Sequence, residues 1–207
     1  DDYEVMSVDD MHLFGNHNYE NVMAAIAMTI EAGVPLNIII NVIKDFMGVE
    51  HRIEYVRDKN GVRYYNDSKG TNPDSSIKAL EAMSRPTILI AGGYDKHSEF
   101  DEFIEAFDNK VKLMVLLGQT ADKIEETAVR HGFTNIIKTD SLEKAVKICA
   151  ENAVSGDVVL LSPACASWGM FKNYEERGNV YEKIFKSSCW YFRNNSCFRN
   201  CIFYSRL

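Results

Sequence analysis

The run Val111-Lys112-Leu113-Met114-Val115-Leu116-Leu117 decides the fold. Its last five residues are all apolar, so a strand here has no face to give to water and must be covered on both sides. A parallel sheet sheathed by helices meets that demand. Outward from this run the same grammar repeats. A helix opened by Pro73 leads to a strand at 87–91, and a helix around 99–107 leads to the strand at 111–117. A helix at 121–131 leads to a short strand at 136–137, and a helix at 142–153 leads to a strand at 158–161. Asp140 with Glu143 has the spacing of a capping box at the start of that last helix. Alternation of this kind predicts an α/β class, with a Rossmann-like, mostly parallel sheet over residues 50–186.

Upstream the period changes. Residues 53–56 and 62–65 alternate with period two around Lys59-Asn60-Gly61, where Asn-Gly supplies the positive φ of a hairpin turn. Before them, Val22, Ala25, Ile26, Thr29 and Ile30 form one stripe of a helix over 18–32, with Gly33 at its end. Pro35 opens a second helix to about residue 46, and Gly48 closes it. The change of period near residue 50 sets a domain boundary there. Beyond residue 186 no period survives. Residues 187–207 are expected to be an aberrant or disordered tail and are assigned no function.

The hydrophobic fraction of 46% and charged fraction of 26% belong to a folding globular chain. A net charge of −7 without clustered Lys and Arg speaks against a nucleic-acid binder, while leaving room for basic loops that take small anions. No apolar run approaches the roughly 20 residues that span a bilayer. The start, Asp1-Asp2-Tyr3-Glu4, lacks the positive region of a signal peptide, so a cytoplasmic, membrane-free protein is expected. Cys149 and Cys165 sit in apolar text, whereas Cys189, Cys197 and Cys201 crowd the last nineteen residues. Their spacing fits no zinc pattern, and no metal ligands are assigned.

In open α/β sheets the ligand crevice lies at the carboxyl ends of the strands, so the segments after each strand hold the candidates. The polar run Asn66-Asp67-Ser68-Lys69-Gly70-Thr71-Asn72 precedes Pro73 at a helix start, combining a carboxylate, an ammonium and hydroxyls with free helix N–H groups. A capped turn explains such a run about as well as an anion site does. The run Ala91-Gly92-Gly93-Tyr94-Asp95-Lys96 offers glycines where a ligand could approach the backbone and a lysine charge, although it matches neither phosphate-binding fingerprint. In Leu160-Leu161-Ser162-Pro163-Ala164-Cys165-Ala166-Ser167, small residues leave room for a ligand, and Cys165 reads as a small buried filler. Finally, Asn18 and Asn21 lie one helical turn apart and present amides on one face.

In this order these segments resemble the Mur ligase family, and within it the branch that adds D-glutamate. The matches are Gly-x-His-Asn-x-x-Asn at 15–21, Gly48 with His51-Arg52-Ile53-Glu54, and Asn66-Asp67-Ser68-Lys69-x-Thr71-Asn72. The diglycine with Lys96 follows, then the Ser162–Ser167 run and Phe-Lys-Asn-x-Glu-x-Arg-Gly at 171–178. The resemblance implies that residues 1–49 end a central ATPase domain and that 50–186 form the C-terminal Rossmann-like domain. It implies ATP-facing roles for Asn21, Arg52, Asp67 and Lys69, with Lys69 also catalytic, and D-glutamate-facing roles for Thr71, Lys96, Ser167 and Tyr174.

The implied activity is ATP-dependent joining of D-glutamate to UDP-N-acetylmuramoyl-L-alanine through an acyl phosphate, in peptidoglycan synthesis, by a monomer. ATP and Mg²⁺ are the implied cofactors, the main Mg²⁺ ligands being expected upstream of Asp1. No P-loop occurs in the 207 residues, so the chain alone is expected to be catalytically incomplete. Gly70 stands where the resemblance leads one to expect Ala, Gly169 where Asp is common, and Tyr174 where Phe is common. Another ligase of the family, a folylpolyglutamate synthetase, and a non-catalytic nucleotide or amino-acid module remain open. A nicotinamide-dependent oxidoreductase is disfavoured, because no GxGxxG follows a strand.

Overall fold

A computed structural model describes residues 5–13 and 15–186. The expected tail, with its three cysteines, lies outside these residues. A short 3-10 turn at Val8–Asp10 precedes helices α1 (Asn16–Glu31) and α2 (Leu36–Asp45). Strands β1 (Glu54–Lys59) and β2 (Val62–Asn66) form the expected hairpin, and φ is positive at both Asn60 and Gly61 in its turn. There follow α3 (Pro73–Glu81), β3 (Thr87–Ala91), α4 (Asp101–Glu105), β4 (Val111–Leu116) and α5 (Ala121–Arg130). The chain continues through β5 (Ile136–Lys138), α6 (Leu142–Asn152), β6 (Val158–Leu161) and α7 (Tyr174–Lys186).

The six strands lie in the order β1-β2-β6-β3-β4-β5, parallel except for β1 at one edge. Successive residues of a strand feed opposite faces. Leu89 and Ala91 of β3 join Leu80, Phe100, Phe103 and Ile124 of the α3, α4 and α5 side. Ile88 and Ile90 join Leu142, Val146, Tyr181 and Phe185 of the α6 and α7 side. The sheet is thus buried on both faces, as the run at 113–117 demands.

One local expectation is corrected. The cap of α6 is Ser141, whose Oγ accepts the Lys144 N–H, and not Asp140; the Asp140 carboxylate instead pairs with Lys144 Nζ at 2.6 Å. The helix α7 carries the text 174–186, to which no helix or strand is assigned above. Its inward residues include Arg177, Gly178, Tyr181 and Phe185, so a cation and a glycine interrupt the apolar stripe. The α1–α2 pair differs from the sheet domain. Among its described residues only Ile39 is buried, while Met23, Met28, Ile38 and Val42 are exposed. No helix among the described residues is long and apolar enough to cross a membrane.

Candidate functional site

The sheet order decides which loops meet. β2, β6 and β3 are neighbours and parallel, so the segments leaving their carboxyl ends, at 67–72, 162–173 and 92–99, open side by side. Thr71, Ser167 and Lys96 each lie on one of them.

The β2 segment is built around a buried carboxylate. Asp67 Oδ1 accepts the Ile53 N–H at 3.2 Å, and Oδ2 accepts the Ser162 hydroxyl at 2.6 Å. Burial pushes its carboxyl up to about 7, against the opposing pull of the Ser162 and Ile53 hydrogen bonds and the Arg52 and Arg177 charges. The Ser76 hydroxyl of α3 lies 2.8 Å from Ser162 Oγ and accepts the Ala164 N–H at 2.9 Å, which holds the β6 segment against the same point. Pro73 stands at the first turn of α3, and the Asn72 side chain caps it by accepting the Ser75 N–H at 2.9 Å.

Arg52, Asp67 and Lys69 line one cavity of about 120 Å³, together with His17, Ile53, Gly70, Ser75 and Lys78. Three cations border this small polar space, which suits an anion, and one of them, Lys78, also pairs with Glu81 at 2.9 Å. His17 there is held below its ordinary value by burial first, then by the nearby Arg52 and Lys78 charges. Asn21 lies elsewhere, with Asn18, on a second cavity of about 360 Å³ whose other walls include Val22, Ala25, Ile43 and Phe46. Arg52 borders both spaces.

The turn that carries Arg52 is strained. His51 and Ile53 both adopt left-handed φ, at 62° and 47°, a conformation costing about 1–3 kcal/mol at a non-glycine residue. It is pinned on three sides. The His51 N–H donates to Glu54 Oε2 at 2.6 Å, the His51 carbonyl accepts the Lys69 N–H at 2.9 Å, and Ile53 binds Asp67 as above.

Arg177 is the residue whose role sequence reasoning missed. Buried on α7, it donates through Nε to Ser68 Oγ at 3.0 Å, through Nη2 to the Ser68 carbonyl at 2.8 Å, and through both terminal nitrogens to the Cys165 carbonyl at 3.2 Å. It therefore laces the β2 and β6 segments together. Ser68 Oγ in turn donates to the Tyr174 carbonyl at 2.8 Å. Tyr174 stands at the head of α7, with Lys69 Nζ 5.5 Å from its ring centre. Cys165 packs against Thr120, and burial pushes its thiol up to about 11.

The diglycine is spent on packing. A Cβ at Gly92 would lie 2.2 Å from the Leu117 carbonyl oxygen, and one at Gly93 2.3 Å from that of Ala166. The Gly93 N–H donates to Thr120 Oγ1 at 3.0 Å and the Tyr94 N–H to the Ala166 carbonyl at 2.9 Å. Neighbouring loops, not open space, fill the approach that the glycines permit. Lys96 projects from this loop, exposed, and Tyr94 packs edge-on against Trp168 at 5.4 Å. Ser167 is buried beside Gly92, Gly93 and Arg177. Neither of the two cavities above, nor the pocket beside Gly92 and Gly93, gathers Thr71, Lys96, Ser167 and Tyr174.

For a divalent cation the basic cavity is a poor host. Asp67 is its one carboxylate, and both oxygens are already engaged. His51, Glu54 and Glu182 bring ligand atoms within 4.8 Å of one another. Asn66 Nδ2 donates to both His51 Nδ1, at 2.9 Å, and Glu182 Oε1, at 2.8 Å, so a neutral amide already serves them. The donor set does not fit Mg²⁺.

Residues 51–165 match the model of the Mur ligase glutamate ligase domain. The chain is 64% identical over 183 residues to a UDP-N-acetylmuramoylalanine–D-glutamate ligase of Lachnospira eligens, covering 88% of this chain and 41% of that protein. It is 57% identical over 179 residues to the ligase of the same name from Lachnoclostridium phytofermentans, covering 86% and 39%. The chain thus spans about two fifths of the length of these relatives. In fold it is similar to a UDP-N-acetylmuramate-alanine ligase of Thermotoga maritima, with a TM-score of 0.65 at 16% identity over 86% of this chain and 40% of that one. It is also similar to a FolC of E. coli solved with ADP, with a TM-score of 0.58 at 17% identity over 80% and 39%.

Proposed function

The chain belongs to the Mur ligase family, and from that premise we propose that it serves the ATP-dependent joining of D-glutamate to UDP-N-acetylmuramoyl-L-alanine in peptidoglycan synthesis. The observation that carries the proposal is the meeting of the β2, β6 and β3 segments at one end of the sheet, beside a cavity lined by Arg52, Lys69 and Lys78. The names of the 64% and 57% identical relatives supply the substrate pair.

In this reading ATP transfers its terminal phosphoryl group to the carboxylate of the muramoyl-alanine substrate, releasing ADP. The D-glutamate amine attacks the acyl phosphate, and the tetrahedral adduct expels phosphate to leave an amide. Such chemistry asks for positioning and charge, with no enzyme nucleophile. Arg52 and Lys69 offset negative charge on phosphoryl oxygens, Lys69 being the catalytic cation. Asn21, beside the apolar cavity, faces the nucleotide base, and Asp67 orders the turn between Arg52 and Lys69. Thr71, Lys96, Ser167 and Tyr174 hold D-glutamate. Mg²⁺ would accompany ATP, and no step here is routed through it, since the described residues do not form its site. We place the protein in the cytoplasm as a monomer, with residues 1–49 belonging to a nucleotide-binding domain and 50–186 to the amino-acid-delivering one.

Amide ¹H–¹⁵N spectra of the chain, recorded with ADP and with D-glutamate, test the proposal. ADP should shift resonances of Asn21, Arg52, Asp67 and Lys69, and D-glutamate those of Thr71, Lys96, Ser167 and Tyr174. Shifts confined to other residues, or none, would overturn it.

A further inference from the structure

The ring of His51 sits where three parts of the site converge. From β2, Asn66 reaches it. The Asn66 Oδ1 accepts the Ser68 N–H at 3.1 Å, which turns its amide NH₂ toward His51 Nδ1 and leaves the ring proton on Nε2. From α7, Gly178 lies so close that a Cβ there would stand 2.4 Å from His51 Nδ1, while Glu182 Oε1 lies 3.4 Å from that nitrogen. The Tyr174 ring meets the imidazole edge-on at 6.4 Å. From its own turn, the His51 backbone holds Glu54 and Lys69, and the next residue is Arg52.

We infer that His51 is a positioning residue: it fixes Arg52 to Asp67 and Lys69 as one unit and ties that unit to α7. Its ring meets Asn66 of β2 and Glu182 and Gly178 of α7 while its backbone belongs to the strained turn. Arg52 itself is exposed, with its backbone held and its guanidinium left to the cavities. A ring lost at 51 leaves Asn66 and Glu182 without their shared partner and removes the side-chain tie between the 51–53 turn and α7. That Arg52 and Lys69 meet phosphoryl oxygens rests on the reading above, whereas the tie between the turn and α7 does not.

Amide hydrogen exchange of the ligand-free chain separates a positioning role from a merely structural one. Local opening exposes only nearby amides, whereas lost global stability speeds the core as well. His51→Phe keeps a ring and removes the Nδ1 acceptor. It should speed exchange at Ile53, Ser68 and Lys69 about tenfold or more, while Leu89 and Ile90 of β3 change far less. His51→Asn returns an acceptor at the same bond distance from Cβ and tolerates positive φ, so it should restore slow exchange. Should His51→Phe fail to fold, Gly178→Ala, which crowds the same nitrogen, should give the same local signature. Uniform acceleration across the sheet, or no rescue by His51→Asn, would overturn the inference. ADP titration of the same variants keeps the two readings apart. The local exchange pattern without any ADP response in the unmodified chain would sink the nucleotide reading and leave the positioning role standing.

Discussion

The guanidinium of Arg177 donates at 2.8 Å to the carbonyl oxygen of Ser68, 109 residues away in sequence. The same group spans to Cys165 and lies buried among carbonyls, with burial lowering it to about 10. A buried acceptor stripped of its donor costs about 1–3 kcal/mol. Arg177→Met should therefore destabilise the chain by about 3 kcal/mol, and Arg177→Lys should recover less than half, since one ammonium cannot span both carbonyls. Urea unfolding midpoints check this. A midpoint unchanged in Arg177→Met would show that the clamp is ornamental.

Asp67 gives a pH dependence with a definite sign. Its carboxyl is raised from 3.8 to about 7, so the folded chain holds that proton more tightly than the unfolded one. The stability it contributes is fully present below about pH 4 and is lost as pH rises toward 7. Asp67→Asn removes the titration. The difference in stability between variant and parent should move in favour of the variant from pH 4 to 7 and then level off. A difference that stays flat, or runs the other way, contradicts the assignment.

Gly70 is required by its neighbours. A Cβ there would lie 2.5 Å from Asp67 Oδ2 and 3.0 Å from both Ser162 Oγ and Ser76 Oγ. Alanine at this position, which the family resemblance leads one to expect, would press on the buried carboxylate. Gly70→Ala should cost about 1–3 kcal/mol, as overpacking does, unless Asp67 turns away from Ser162. An unfolding midpoint at or above that of the parent would show that the segment yields freely.

Lys96 should matter for turnover and hardly at all for folding. It is exposed and appears in no hydrogen bond or ion pair among the described residues. In a chimera joining the upstream part of the Lachnospira eligens ligase to this chain, Lys96→Ala should lower kcat/KM for D-glutamate roughly tenfold to hundredfold. That range corresponds to a lost charge-assisted contact of about 1.5–3 kcal/mol. The unfolding midpoint should move by less than about 0.5 kcal/mol. Normal kinetics would remove Lys96 from the site.

The sheet and its flanking helices were legible because runs such as 113–117 admit one solution, coverage on both faces. The hairpin was legible from Asn60-Gly61 for an equally local reason. Helix α7 was not, because its buried stripe includes Arg177 and Gly178, one chosen for its fork of donors and the other for its closeness to His51. Those demands come from partners over 100 residues away and leave no period in the text. The choice of Ser141 over Asp140 as cap was hidden for a smaller reason, since adjacent residues of equal capping power differ only in backbone geometry. Of the site, the family resemblance implied a common role for Arg52, Asp67 and Lys69, which line one cavity, and for Asn21, which lines another. The use of the diglycine for packing against Leu117 and Ala166 could not be read, because the sequence does not say what approaches a glycine.

The most direct test of the central claim is phosphate release by that chimera with ATP, UDP-N-acetylmuramoyl-L-alanine and each of several amino acids. The account predicts release that depends on D-glutamate, is not supported by L-glutamate, and is lost in Lys69→Ala. Release driven equally by L-glutamate or another amino acid, or surviving intact in Lys69→Ala, would contradict it.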